Sequence, residues 1–467
     1  MLLSTVLAIA LALRVGTIVA FGDLSSGANL WEYGEQARCA QQNASDLCLY
    51  YAPDSAPYPS AYMPPLLSYF WLALFGLFGD GITARIAWLS GSVAAALGSV
   101  ALTFYLALKL IPSRWVAFVA AFLIAIYPTF VFVSATYHQT NWAVLLLLAV
   151  VAVAVKLADG SNPWLFGALG GLLSGVAALN RSEMIIIGPT LVALGGLWRR
   201  DWKRILIVGV TGSLALGLII SPWIVRNYAT FGRVIPVAQS QGYNLWKGYN
   251  PYTNGSGNLT ETNNRSAAAA SSGIRKSIPY GPGYETRLQD AYLRAFHKDI
   301  QDSSNGRIAK LVLNKIALLW TFDWTDRGVV VRPDYLIPWL VTNLLALIGL
   351  VATWRWRRWI GRGPTLIYAT TLTLLTFAYA TTSVHARYRM QIEPFIFILA
   401  GLGCVGIVLR FRGYIRSFRV STSKSPPGSS SNPEDETDDS SRPGAMTAPW
   451  TRPACHGLNP SSDSRAT

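Results

Sequence analysis

Ten apolar runs, parted by short polar bursts, set the rhythm of this chain: roughly 2–21, 85–108, 115–134, 141–157, 163–180, 183–198, 204–223, 335–354, 364–381 and 391–409. A helix needs about 20 apolar residues to cross the hydrocarbon core of a bilayer. Each run therefore predicts a span, although several, 183–198 among them, are short. The expected fold class is an all-α polytopic membrane protein with about 10 transmembrane helices.

The polar bursts orient these spans. Arg199, Arg200, Lys203 and Arg204 follow the sixth run, Arg355, Arg357, Arg358 and Arg362 the eighth, and Arg410, Arg412, Arg416 and Arg419 the tenth. Lys109 and Arg114 separate the second from the third. Positive loops stay in the cytoplasm, so these bursts share one side and both termini are expected there. One more apolar stretch, "YMPPLLSYFWLALFGLFG" (62–79), would reverse every later loop if it crossed. Its Pro64 and Pro65 suit a helix start, and its aromatic residues suit an interfacial depth. It is read as a helix lying in or dipping into the outer interface.

Two large loops then face outward, 22–84 and 224–334. Within the second, "TNNRSAAAASSGIRKS" reads as mobile, while 284–300 has helical periodicity suited to a bilayer surface. The domain map is a membrane domain over 1–419 and a Ser/Pro/acid-rich tail over 420–467, expected to be disordered and cytoplasmic.

Composition agrees with the pattern. The chain of 467 residues is 52% hydrophobic and 13% charged, against about 25% charged in soluble domains. A net charge of +15 raises nucleic acid as a partner, but the positives come in bursts between apolar runs rather than as one basic domain, so none is expected. The first run lacks a basic n-region and a convincing small-residue cleavage site, which favours a retained span over a signal peptide. Arg14 inside it calls for structural pairing. Cys39 and Cys48 share the first outer loop, where a disulfide and a free pair both stay open; Cys404 and Cys455 lie elsewhere.

Candidate chemistry collects at span ends on the outer face. Glu32 and Glu35 follow the first span and Arg85 opens the second. His138 lies in "YHQTN", Arg181 in "NRSE", Arg226 in "PWIVRN", and Arg387 and Arg389 in "HARYR". Any single one of these is ordinary interfacial decoration. Carboxylates and arginines gathered at one depth from distant parts of a chain are what an anionic lipid-linked substrate and a general base require. No glycine-rich nucleotide loop and no His/Cys cluster at metal-ligand spacing is visible. No cofactor or metal is assigned, and a carboxylate-bound divalent cation stays open.

Several of these stretches resemble one family. "PWIVRNYATFGRVIPVAQSQGYNLWKGYNP" (222–251) resembles the start of the large outer loop in bacterial relatives of the dolichyl-phosphate-mannose protein mannosyltransferases. "YGEQAR" (33–38) and "SAYMPPLLSY" (60–69) are similar to the first-loop run and juxtamembrane helix of the lipid A aminoarabinose transferases. "GLLSGVAALNRSE" and "HARYRMQIEPF" resemble two further landmarks, in the same order, so that the likeness covers roughly 1–410. It implies the GT-C fold of a glycosyltransferase family 39-like enzyme in the bacterial inner (plasma) membrane. It also implies a polyprenyl-phosphate sugar as donor, a lipid, glycan or protein as acceptor, a first-loop carboxylate as base, and basic residues on the leaving phosphate. Among those, Arg181 and Arg387 rank above Arg85 and Arg226, and His138 is a candidate for binding the acceptor or shuttling a proton.

The sequence departs from the family where the base should be. Relatives commonly carry Asp four residues before the Tyr of the first-loop run, and here that position is Asn29. An amide cannot accept a proton at neutral pH. Three readings stand: Glu32 takes the role one helical turn later, Asp23 folds back into the site, or the chain is a non-catalytic relative. Glu35 matches a family acid and equally suits an ion pair with Arg38. The rival class, a transporter or lipid flippase, predicts charged span centres and paired broken helices, and the span centres are nearly clean.

Overall fold

The protein is represented by a computed structural model that describes residues 1–51, 56–321, 333–356 and 360–422. Among these it forms seventeen α-helices, two short 3-10 helices (Val133–Ala135 and Ala386–Gln391) and one short ribbon. The helices are α1 (Leu2–Phe21), α2 (Trp31–Gln42), α3 (Leu66–Phe78), α4 (Ile82–Leu110), α5 (Arg114–Ile126), α6 (Pro128–Phe132), α7 (Thr140–Ala158), α8 (Pro163–Asn180) and α9 (Met184–Leu197). They continue with α10 (Trp202–Phe231), α11 (Gln241–Tyr249), α12 (Glu261–Lys276), α13 (Tyr284–Gln301), α14 (Asn305–Trp320), α15 (Pro333–Trp356), α16 (Arg362–Ala380) and α17 (Glu393–Thr422). Strands β1 (Cys48–Leu49) and β2 (Tyr58–Pro59) pair antiparallel. The fold is all-α and polytopic.

Every predicted run is helical, and the helices differ in length and apolarity. Among the described residues seven helices are long and apolar enough by themselves to cross a membrane: α1, α4, α7, α8, α10, α15 and α17. The third run is a pair, α5 and α6, bent by 56°. Pro128 has no N–H, so the Ile124 carbonyl loses its helical donor at the break. Arg14 fills the gap. Its buried guanidinium donates to the carbonyls of Ile124 (3.2 Å) and Ala125 (2.9 Å), which makes it a helix-to-helix staple. The sixth run is α9, of 14 residues, with Pro189 inside it. The ninth, α16, has 19 residues but falls outside the seven. Four of its threonines, Thr365, Thr371, Thr373 and Thr376, return their hydroxyls to carbonyls four residues back, which meets their polar groups within the helix. Where α8 meets α10 the backbones nearly touch: a Cβ on Gly171 would lie 2.0 Å from the Gly212 carbonyl oxygen. Small residues permit such contact between helices in lipid.

The stretch at 62–79 becomes α3, a helix of 13 residues that buries Trp71 against Trp88 of α4 (ring centroids 4.5 Å apart, planes at 6°). A disulfide joins Cys39 to Cys48, tying α2 to the ribbon. The stretch expected to be mobile is largely α12, with a kink at Asn264. Its alanine run favours helix, and Ser271 and Arg275 anchor it to the Tyr292 hydroxyl of α13 (2.7 and 3.2 Å). The compact unit spans Met1–Gly413. Of the second unit, Tyr414–Thr467, the described part is the end of α17, and the rest of the tail read as disordered lies outside the described residues.

The two large loops, 22–84 and 224–334, are latched together. Glu285 of α13 is buried, and its carboxylate accepts from the Tyr51 hydroxyl, the Ser60 hydroxyl (2.7 Å) and the Ala61 N–H (2.8 Å). Removing the acceptor strands three buried donors. Glu285→Ala is therefore expected to cost on the order of 3 kcal/mol, seen as a lower unfolding temperature in detergent and faster proteolysis of the two large loops. A variant as stable as the parent would show that the latch does not hold the loops.

Candidate active site

The site begins with the backbone of the first large loop. Asn29 accepts the Trp31 N–H on its side-chain oxygen (2.9 Å), and Trp31 takes a left-handed conformation, φ 59°. An aromatic residue pays for that conformation in strain and holds it only where its surroundings fix it. The result is that α2 starts with Trp31 turned inward against the His138 ring (centroids 4.8 Å apart) while Glu32 stays exposed. Asn29, Trp31, Glu32 and Glu35 line one cleft of about 480 Å³ together with Leu49 and Tyr50. No hydrogen bond or ion pair to Glu32 is found among the described residues.

Two arginines from distant parts of the chain converge beside this cleft. Arg181 ends α8, and its Nε donates to Glu183 (2.6 Å), which also accepts the Tyr379 hydroxyl (2.7 Å). The Arg181 guanidinium lies over the Tyr388 ring, 4.7 Å from its centre. Arg387 packs on the same ring (5.8 Å) and on Trp31 (5.5 Å). The Arg387 Nε is buried without a hydrogen-bond partner among the described residues. Aromatic faces thus hold both cations in place while leaving donors free. Burial and then the charges of Arg387 and Arg181 hold the His138 imidazole well below its ordinary range. Its Nδ1 lies 2.6 Å from the Thr140 hydroxyl.

The other candidates are placed differently. Glu35 pairs with Arg38 (2.7 Å), Arg38 with Asp80 (2.8 Å), and Asp80 with the buried Arg85 (3.0 Å), which also donates to the Ser26 carbonyl. Arg85 thus knits the first loop to α4. Arg226 is equally occupied, by Asp46 (2.5 Å) and by the carbonyls of Ser60 and Leu47 (3.0 Å each). Arg389 donates to the Thr321 carbonyl and pairs with Glu393 (3.3 Å). Asp23 is exposed and caps the Ser25 N–H (3.0 Å), a bond that lowers its carboxyl pKa. The structure therefore brings Glu32, Asn29, His138, Arg181 and Arg387 together and sets Asp23, Arg85 and Arg226 to separate tasks.

Two residues went unnominated in the sequence. Lys247 of α11 is buried with its Nζ 3.0 Å from Nε2 of His385, and both feel the charge of Arg387. Each lies inside a motif quoted above, yet their pairing joins positions 138 residues apart and leaves no local signal.

Comparison with known proteins bears on this arrangement. No curated protein matches the sequence. The family model of glycosyltransferase family 87 matches residues 62–270. Among solved structures, the oligosaccharyltransferase AglB of Archaeoglobus fulgidus, in complex with an inhibitory peptide and a dolichol-phosphate, aligns over 92% of this chain and 52% of its own at TM-score 0.55 and 15% identity. The chain has the GT-C membrane glycosyltransferase fold. The same archaeal enzyme tethered to an acceptor peptide covers 88% of this chain and 50% of its own (TM-score 0.55, 12% identity). ArnT of Cupriavidus metallidurans bound to undecaprenyl phosphate covers 91% and 81% (TM-score 0.41, 14% identity). The chain spans about half the length of AglB. The resemblance read from the motifs holds at the level of the GT-C class, and the family model that matches is that of family 87.

Proposed function

We propose that this protein transfers a sugar from a polyprenyl-phosphate donor to a lipid, glycan or protein acceptor at the outer face of the membrane. One observation carries the reading. A carboxylate, Glu32, and a cation, Arg387 with its Nε, each without a hydrogen-bond partner among the described residues, flank Trp31 beside an open cleft. A base lining the cleft, with a phosphate ligand packed on the Trp31 ring of the same cleft, suits displacement at a sugar carbon held between them. The acceptor oxygen forms its bond to that carbon while its proton passes to Glu32. The bond from the sugar carbon to the phosphate oxygen breaks, and its electron pair stays on the phosphate beside Arg181 and Arg387. Asn29 lines the same cleft as Glu32, which supports Glu32 in the role that relatives give to an acid at that position. AglB, solved with dolichol-phosphate, supports the general kind of donor.

The experiment is reconstitution: the purified protein in liposomes, a labelled polyprenyl-phosphate sugar, and membrane lipids and glycans as acceptors. Label moving to an acceptor, with polyprenyl phosphate released, supports the reading. An intact donor across the panel favours the non-catalytic alternative. The orientation is tested separately. Single cysteines at 242–250 are expected to react with an impermeant thiol reagent in intact cells, and those at 199–204 to be protected. The reverse pattern would turn the map over. The disulfide in the first loop supports the outward placement, since disulfides persist outside the reducing cytosol.

A further inference from the structure

Lys247 and His385 make an unusual contact for two bases. At 3.0 Å between Nζ and Nε2, one partner must offer a lone pair. An ammonium can donate to a neutral imidazole, or an imidazole N–H to a neutral amine. Two protonated groups cannot share the contact, so the pair carries at most one positive charge.

The surroundings press it towards none. Arg387 and Arg181 stand nearby, and His138 adds to their effect. Glu32 of α2 acts the other way. Tyr243 of α11 faces the amine (5.1 Å to the ring centre), Tyr388 faces the imidazole (5.2 Å between rings), and Tyr33 of α2 and Glu183 attend the arginines. Lys315 of α14 comes within 3.0 Å of where a Cβ on Gly248 would sit, and its Nζ lies over the Tyr249 ring. Burial, then Arg387, brings the Lys247 amine down to about 7, and burial with Lys247 itself holds His385 well below the imidazole range. Burial raises Tyr33 and Tyr243, so both stay protonated from pH 6 to 9.5. A neutral pair thus avoids stacking a third full charge beside two arginines.

Resting on the donor-phosphate reading above, we propose that Lys247 and His385 are a proton-carrying ligand of that phosphate, taking up a proton as the donor arrives. A phosphodiester brings one negative charge into the cluster and reverses the balance that kept the amine neutral. The ammonium so formed then faces the phosphate as the glycosidic electron pair moves onto it and adds a second charge. When polyprenyl phosphate leaves, the proton returns to solvent.

The probe is a polyprenyl methyl phosphodiester, whose single charge is constant from pH 6 to 9.5. Its binding to the full chain in detergent is followed by titration calorimetry in two buffers of different ionisation enthalpy. Wild type is expected to take up close to one proton per diester at pH 8.5, and its affinity to fall towards tenfold per pH unit above pH 8. Lys247→Met should bind more weakly at pH 7 with no uptake and a flat profile. Lys247→Arg should keep the affinity, also with a flat profile. Lys315→Met should behave as wild type, although the Lys315 amine is likewise brought down to about 7 by burial. Saturable binding without uptake, or uptake lost in Lys315→Met and kept in Lys247→Met, overturns the assignment and leaves the donor site standing. Absence of saturable binding in wild type overturns both.

Discussion

Glu32→Gln is expected to bind donor as wild type does and to transfer sugar about 100- to 10,000-fold more slowly, the range typical of a lost general base. Glutamine keeps the shape of the side chain and removes its proton acceptor. The two other acids of the first loop serve as controls because the structure gives them other work. Glu35 forms a half-exposed pair with Arg38, and such pairs contribute about 0–1 kcal/mol. Asp23 caps the turn at Ser25. Glu35→Gln and Asp23→Asn should therefore keep most of the activity. The three variants are compared by single-turnover transfer with donor binding measured in each. A dead Asp23→Asn beside an active Glu32→Gln would relocate the base.

Arg387→Ala should weaken donor binding by about 10- to 100-fold, the worth of hydrogen bonds between charged partners. Its Nε is buried with no acceptor among the described residues, so removing the side chain breaks no ion pair seen there. Arg387→Lys should recover part of the loss, since a point charge replaces a planar fork. Arg181→Ala gives a less clean result, because it also strands the partly buried Glu183 and uncovers Tyr388. Wild-type donor affinity in Arg387→Ala would remove this residue from the site.

How far the sequence could be read follows from what a linear pattern records. Apolar runs mark helices because a bilayer leaves a chain few other ways to satisfy its backbone. Their quality as spans depends on features the runs blur, such as the break at Pro128 or the threonines of α16. Arg14 was legible as an anomaly, but its partners are carbonyls exposed by a proline 114 residues later. The alanines of α12 lie in a stretch whose Gly, Asn and Ser content reads as mobile, whereas the Tyr292 hydroxyl anchors the segment. Within the site, Arg181 and Arg387 stood out as charges at span ends. So did Arg85 and Arg226, and nothing in the sequence separates an arginine that grips Asp80 or Asp46 from one left free. Lys247 and His385 were hidden for the same reason: their significance lies in a contact, and the contact is tertiary.

The account stands most directly on one measurement, the fate of a labelled polyprenyl-phosphate sugar given to wild-type protein and to Glu32→Gln in the same liposomes with membrane acceptors. The predicted result is transfer of the label by wild type, with release of polyprenyl phosphate, and a donor that Glu32→Gln binds but leaves intact. Equal turnover by the two proteins, or none by wild type across the panel, would contradict it.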